Sequence, residues 1–225
     1  MSARVNSGQR RSSVSTRRHF LQASLVAVGL SPLAHGALAA TLGPAPLDAA
    51  FVDPAIVAAA KAGLERAGGA VAHRDLVGVA DFARPSRIPR LHLVDLAGGR
   101  IETLLVAHGR GSDPEHSGWL RSFSNRPGSA ATSQGAYVTS SYYCGQHGRS
   151  MRLRGLDPTN SNAEERAIVV HAAWYVGQDV ARQYGMLGRS EGCFAVSPTD
   201  TSRVLDRLGP GRLLVATKLP GLGPA

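Results

Sequence analysis

The pattern of apolar and polar positions changes character along the 225-residue chain. Between residues 53 and 67 its period is helical. Asp53 is a good N-cap, Pro54 suits the first helical position, and Ile56, Val57, Ala60 and Leu64 recur at helical spacing. Gly68-Gly69 then ends the segment near Ala67. From Leu91 onward the period is that of strands. "LHLVDL" (91–96) and "IETLLVAH" (101–108) are short apolar or alternating runs joined by Ala97-Gly98-Gly99-Arg100, a hairpin signal. Further strands are expected at 135–139, 150–153, 167–171, 194–196 and 212–217, with turn residues between them. A second helix is expected over 197–208, with Ser197 as its cap and Pro198 in its first turn. Many short strands with few helices predict a mainly β fold, a sandwich or barrel with one or two packed helices. The helix at 53–67 is expected to be a packing element or a small N-terminal subdomain rather than part of a site.

The first residues follow another logic. Thr16-Arg17-Arg18-His19-Phe20-Leu21 is a twin-arginine pattern, a short apolar run follows from Ala23 to Leu33, and Ala37-Leu38-Ala39 offers small residues for cleavage. The run is shorter than the roughly 20 residues that span a bilayer, and His35-Gly36 interrupts it. A signal peptide over 1–39 is therefore expected, with delivery by the twin-arginine pathway to the periplasm or cell envelope. No stable membrane span is expected after cleavage. Residues 40–52, rich in Ala, Pro and Leu, read as a linker, so that 40–74 comprises linker and N-terminal helix.

Export alters the charge. The leader carries Arg4, Arg10, Arg11, Arg17 and Arg18 and no acid, so its removal lowers the net charge from +9 to +4. A mildly basic mature surface suits a polyanionic envelope. It is not the footprint of a nucleic-acid-binding protein, since no basic stripe with interleaved aromatics is present. No CxxC or HExxH spacing occurs, and neither a metal nor an organic cofactor is expected.

Three segments can carry chemistry. One is the strand-like Ala167-Ile168-Val169-Val170-His171; one is Arg189-Ser190-Glu191-Gly192-Cys193; one is the glycine-flanked Tyr143-Cys144-Gly145-Gln146-His147-Gly148. A nucleophilic thiol needs a base or a cation nearby and some access to solvent. A histidine at the mouth of a sheet serves as that base if its second ring nitrogen is held by an acceptor. Backbone N–H groups around a glycine can receive the developing oxyanion. The residues alone leave other readings open. Cys193 can be a buried structural cysteine and His171 a satisfied core histidine. His147 can be merely exposed, Cys144 and Cys193 can form a disulfide, and His147, His171 and Cys193 can be read as zinc ligands.

A resemblance decides among these. "HAAWYV…LGRSEGC", with His171 and Cys193 22 positions apart, resembles the catalytic core of the L,D-transpeptidase (YkuD-like) family, in particular its murein L,D-transpeptidase catalytic-domain subgroup. "LVAHGRGSD", "SFSNRPGSAATSQGAYVT", "GQHGRSMRLRGLD" and "NAEERAIVVHAAWYV" resemble the same subgroup in the same order. The likeness covers about residues 75–217, leaving 218–225 as a C-terminal tail. It implies Cys193 as nucleophile and His171 as general base. It also implies Ser190, Glu191 and Gly192 as the turn whose N–H groups face the oxyanion, and Ala172, where glycine is common, as the carbonyl that orients the histidine. His147 matches the family's loop histidine. Arg189 is the candidate for holding a substrate carboxylate, because the arginine that commonly follows the family's cysteine is missing. Glu191 stands where the subgroup favours an aromatic residue, and Phe194 where proline is frequent. The implied substrate is the stem peptide of peptidoglycan and the implied activity cysteine-based L,D-transpeptidation. Alternatives are an L,D-carboxypeptidase using the same site, or a peptidoglycan-binding envelope protein that does not turn over.

Overall fold

A computed structural model describes residues 53–220. The expected signal peptide, the linker at 40–52, and the end of the tail lie outside the described residues. Helix α1, Pro54–Ala67, begins where expected: the Asp53 carboxylate accepts a hydrogen bond from the Ala55 N–H at 2.9 Å, and Gly68 at φ +52° ends the run. Its apolar face, Ile56, Ala60 and Leu64, is buried against Val77, Val79, Leu213 and Val215. At about 1.5–3 kcal/mol for each fully buried large aliphatic side chain, that face docks α1 as a packing element of the same fold. Gly63 allows the approach, since a Cβ there would stand 2.9 Å from both Leu213 and Val215.

Among the described residues, eight strands form one mixed sheet: β1 Leu76–Asp81, β2 Leu91–Asp95, β3 Arg100–Leu104, β4 Gly135–Gly145, β5 Gly148–Gly155, β6 Val169–Ala172, β7 Phe194–Val196 and β8 Leu213–Thr217. Their spatial order is β3-β2-β1-β8-β4-β5-β6-β7. The stretch that continues from β3 reaches the far edge, where the Ala107 N–H donates to the Ala195 carbonyl at 2.9 Å. The sheet is thus nearly closed into a barrel, the mainly β architecture expected from the strand pattern. Its interior holds Phe82, Tyr137, Met151, Leu153, Val170, Phe194 and Val196, closed by Val204, Leu205 and Leu208 of helix α3, Thr201–Leu208.

Local chemistry moves several boundaries. Strand β1, a central strand covered by α1 on one face and the barrel core on the other, was not expected, because its six residues are all buried and show no alternation. Helix α3 starts at Thr201 rather than after Ser197. The Ser197 hydroxyl accepts the Asp200 N–H at 3.1 Å and its carbonyl accepts the Thr201 N–H, closing a turn before the helix. Strand β6 starts at Val169 rather than Ala167, since Ala167 has φ +50° and its N–H closes a turn on Glu164. A short helix α2, Gln178–Tyr184, buries only Ala181 and left little periodic signal.

Candidate active site

Strands β6 and β7 run parallel, with Val170 beside Phe194 and His171 beside Ala195. Val170, Phe194 and Val196 point into the barrel core, whereas Ala195 belongs to an outer cluster with Leu105, Val176 and Leu187. By strand alternation His171 shares that outer face. Cys193 lies one residue before β7, and its Sγ donates to the Ala167 carbonyl at 3.5 Å.

His171 is 3% exposed. Its Nδ1 donates to the Ala172 carbonyl at 2.8 Å, which leaves the Nε2 lone pair as the basic position. The His147 ring, at the tip of the β4–β5 hairpin, stacks on it with centroids 4.3 Å apart and planes 23° apart. Burial pulls the His171 pKa below its ordinary 6.5; the Ala172 carbonyl opposes this and His147 adds to it. The imidazole is therefore neutral at neutral pH.

Cys193 is a half-buried free thiol, and Cys144 a second free thiol, exposed on β4. Burial pushes the Cys193 pKa above 9.0. The Val169 N–H and the Arg166 guanidinium oppose the shift, and the Glu191 carboxylate adds a smaller upward push. The resting pair is thus a neutral thiol and a neutral imidazole. A base must take the proton as sulfur attacks.

The turn before the thiol is heavily braced. The Ser190 hydroxyl donates to the Cys193 carbonyl at 2.7 Å and accepts the Gly192 N–H at 3.2 Å. The Ser190 N–H donates to the His108 carbonyl at 2.9 Å, and the Ser190 carbonyl accepts the Arg110 N–H at 2.7 Å. With Gly192 engaged, Glu191 and Cys193 are the residues of this turn whose N–H groups have no partner among the described residues. The Glu191 carboxylate is turned to the surface, paired with Arg110 Nε at 2.6 Å. Arg189 is half-buried and spends one nitrogen on the Asp113 and Pro114 carbonyls. Its Nε and second terminal nitrogen make no hydrogen bond among the described residues.

Sequence reasoning missed three supports. Arg166 lies against the turn, 3.1 Å from where a Gly192 Cβ would stand, and supplies the cation nearest in effect to the thiol. It is held by the Ser124 carbonyl at 2.8 Å, the Ser133 hydroxyl at 2.6 Å and the Ala131 carbonyl. Tyr175 packs its side chain over Gly188, close enough to feel the Cys193 thiolate when it forms. Behind the turn, the fully buried Arg90 donates to the Val106 carbonyl at 3.1 and 3.0 Å and to His108 Nδ1 at 2.7 Å, while His108 Nε2 faces Asp113 at 3.5 Å. Burial lowers the Arg90 pKa to about 9 and the His108 pKa to about 3, so the network holds one cation and one neutral imidazole. In the sequence Arg166 is one of 25 lysines and arginines, and nothing local marks it.

Residues 49–216 match the L,D-transpeptidase catalytic domain family. The chain belongs to the L,D-transpeptidase catalytic domain family. Solved structures give partial matches. An L,D-transpeptidase from Mycobacterium smegmatis is 14% identical with TM-score 0.38, over 63% of this chain and 58% of that one. An L,D-transpeptidase from Mycobacterium tuberculosis is 16% identical with TM-score 0.41, over 63% and 57%. L,D-transpeptidase 3 from Mycobacterium tuberculosis, in complex with a faropenem-derived adduct, is 14% identical with TM-score 0.42, over 64% and 60%. The chain thus spans less than two thirds of the length of these proteins. No curated protein matches.

In this L,D-transpeptidase-family domain the arrangement joins a thiol, a neutral imidazole with a fixed tautomer, a nearby guanidinium and a turn with unengaged N–H donors. Those are the parts that acyl transfer through a thioester requires. Among the described residues, no group of three His, Cys, Asp or Glu side chains is placed to hold a metal ion.

Proposed function

We propose that this protein is a cysteine acyltransferase acting on peptidoglycan stem peptides in the cell envelope, an L,D-transpeptidase that works through a Cys193 thioester. The observation that carries the reading is the His171 ring, pinned through Nδ1 to the Ala172 carbonyl on the strand beside the Cys193 turn. A tautomer fixed in this way presents a base and nothing else at Nε2.

In the reaction, His171 Nε2 takes the Cys193 proton as sulfur attacks the carbonyl of the L-centre at the third stem residue. The oxyanion is received by the unengaged N–H groups of Glu191 and Cys193, each such donor being worth about 10²–10³ in rate. Collapse breaks the peptide bond, and D-alanine leaves with the proton from His171. An amine of a second stem then attacks the thioester, passes its proton to His171 and forms the cross-link, and the thiol is regenerated. Water in place of the amine trims the stem instead. Arg189 contributes its unengaged donors to a substrate carboxylate, and His147 covers the base. The twin-arginine leader read from the sequence supports the envelope as the place of action.

The test is mass spectrometry of muropeptides after incubation of the mature protein, under reducing conditions, with tetrapeptide-containing fragments. Cross-linked dimers that vanish with Cys193→Ala support transpeptidation. Tripeptides alone would replace it by carboxypeptidation, and an unchanged profile would overturn turnover on this substrate.

A further inference from the structure

On the outer face of the β6–β7 pair, past the C-terminal ends of both strands, lies an open groove of about 450 Å³ between the start of α2 and the turn at 197–200. Its volume falls within the range of small-molecule sites. Leu105 and Val176 supply apolar wall, Gln178 and Asp179 supply polar groups, and Trp174 lines its edge. Trp174 is 83% exposed. Among the described residues its indole face is uncovered at the groove, a flat apolar surface open to a ligand. It is not loosely placed, since its ring meets Tyr175 edge-on, with centroids 5.8 Å apart at 78°. Neither Gln178 nor Asp179 makes a side-chain hydrogen bond or ion pair among the described residues, so their donors and acceptors are available.

The groove and the Cys193 turn lie at opposite ends of the short strand β7. Tyr175, against which Trp174 rests, has its phenol pushed up to about 12, first by burial and then by the charges of Cys193 and Glu191. Leu105 and Val176, which wall the groove, pack in one outer cluster with Ala195 of β7 and Tyr175. Strand β7 is three residues long, which puts Ser197 at the groove about 13 Å along the chain from Cys193. A stem peptide attacked at its third residue extends about 10 Å from the reacting carbonyl back to the sugar that bears it.

We infer that this groove is a subsite for the N-acetylated sugar chain to which the stem peptide is attached, with Trp174 stacking on a pyranose ring and Gln178 and Asp179 hydrogen-bonding its hydroxyl and acetamido groups. The inference deepens the function proposed above and rests on it for the position of the stem. A flat aromatic face with adjacent amide and carboxylate groups suits a neutral sugar, which presents C–H groups on its ring face and donors and acceptors around its edge. The groove has no cation in its wall to select an anionic ligand.

Two measurements on the mature protein test the inference. In an NMR titration with neutral N-acetylglucosamine oligomers, wild type binds saturably and Trp174→Ala binds about tenfold more weakly, as loss of one stacked ring implies. Gln178→Ala weakens binding in the same direction. In turnover, the KM for a disaccharide-linked tetrapeptide lies about tenfold below that for the free tetrapeptide, and Trp174→Ala removes that difference while the kcat on the linked substrate holds. Glycan binding untouched by Trp174→Ala, or a KM ratio that the variant leaves in place, overturns the subsite. Loss of all turnover would count against the acyl-transfer reading alone, because the titration needs no chemistry.

Discussion

Replacing Gly192 by alanine perturbs the turn before the thiol at one atom. Gly192 has φ +121°, and a Cβ there would meet the Ala131 carbonyl oxygen at 2.8 Å, Ile168 Cδ1 at 2.9 Å and Arg166 Nη2 at 3.1 Å. The backbone conformation alone costs an alanine about 1–3 kcal/mol. Of the three neighbours the carbonyl is backbone and cannot step aside, which brings the expected loss to about 2–4 kcal/mol. In a domain of this size that lowers Tm by about 5–15 °C. Relief of the clash also moves the turn, carrying the Glu191 and Cys193 N–H groups off the oxyanion, and a lost donor of this type costs about 10²–10³ in kcat/KM. Thermal unfolding and the rate of D-alanine release from tetrapeptide read the two effects. Gly128→Ala is the control: its φ is +74° but nothing lies within 4 Å, so about 1 kcal/mol and full activity are expected. A Gly192→Ala protein that melts within 2 °C of wild type and keeps a third of its activity would refute the reasoning.

Four further outcomes follow from the same geometry. Burial pulls the His171 pKa below 6.5, so the base stays neutral into mild acid and kcat/KM falls on the acid side with a midpoint below 6.5; a midpoint above 7 would contradict this. Removal of the guanidinium by Arg166→Gln, with Arg166→Lys as the charge-retaining comparison, raises the Cys193 pKa further, which shifts the pH profile of iodoacetamide alkylation to higher pH; an unmoved profile would discount the cation. Burial holds His92 at about 4 whereas the unfolded chain protonates it near 6.5, so the unfolded state binds more protons between those values. Stability is then full above 6.5 and falls on acidification, by about 2 kcal/mol at pH 5 from this group; chemical unfolding at pH 7 and 5 reads it, and His92→Leu should flatten the slope. Glu191→Gln removes an exposed ion pair with Arg110 and should leave thermal stability unchanged while moving the thiol pKa slightly down; a clear drop in Tm would show that the pair is structural.

What was legible in the sequence is what local pattern determines. The α1 caps, the β2–β3 hairpin and the order of the later strands follow from turn residues and periodicity, and they agree with the structure. Strand β1 was invisible because burial on both faces erases alternation. Ala167 breaks a strand-like run through a positive φ that composition does not announce. At the site, Cys193, His171 and His147 were legible as residue types, and family resemblance grouped them. The direction of Glu191 was not, because Arg110, its partner, comes from a loop 81 positions away. Arg166 was equally hidden, since its place depends on Ser124, Ala131 and Ser133, carried by a loop 33–42 positions earlier. Chemistry that depends on such long-range carbonyls leaves no local signature.

The central claim is a thioester on Cys193, and rapid-quench intact-protein mass spectrometry tests it most directly. Mature protein mixed with tetrapeptide and no amine acceptor should gain the mass of one tripeptide acyl group, mapped by peptide digestion to Cys193, as D-alanine is released. Cys193→Ala should show neither adduct nor release, and His171→Ala should acylate far more slowly. D-alanine release by Cys193→Ala at the wild-type rate, or an adduct on any residue other than Cys193, would contradict the account.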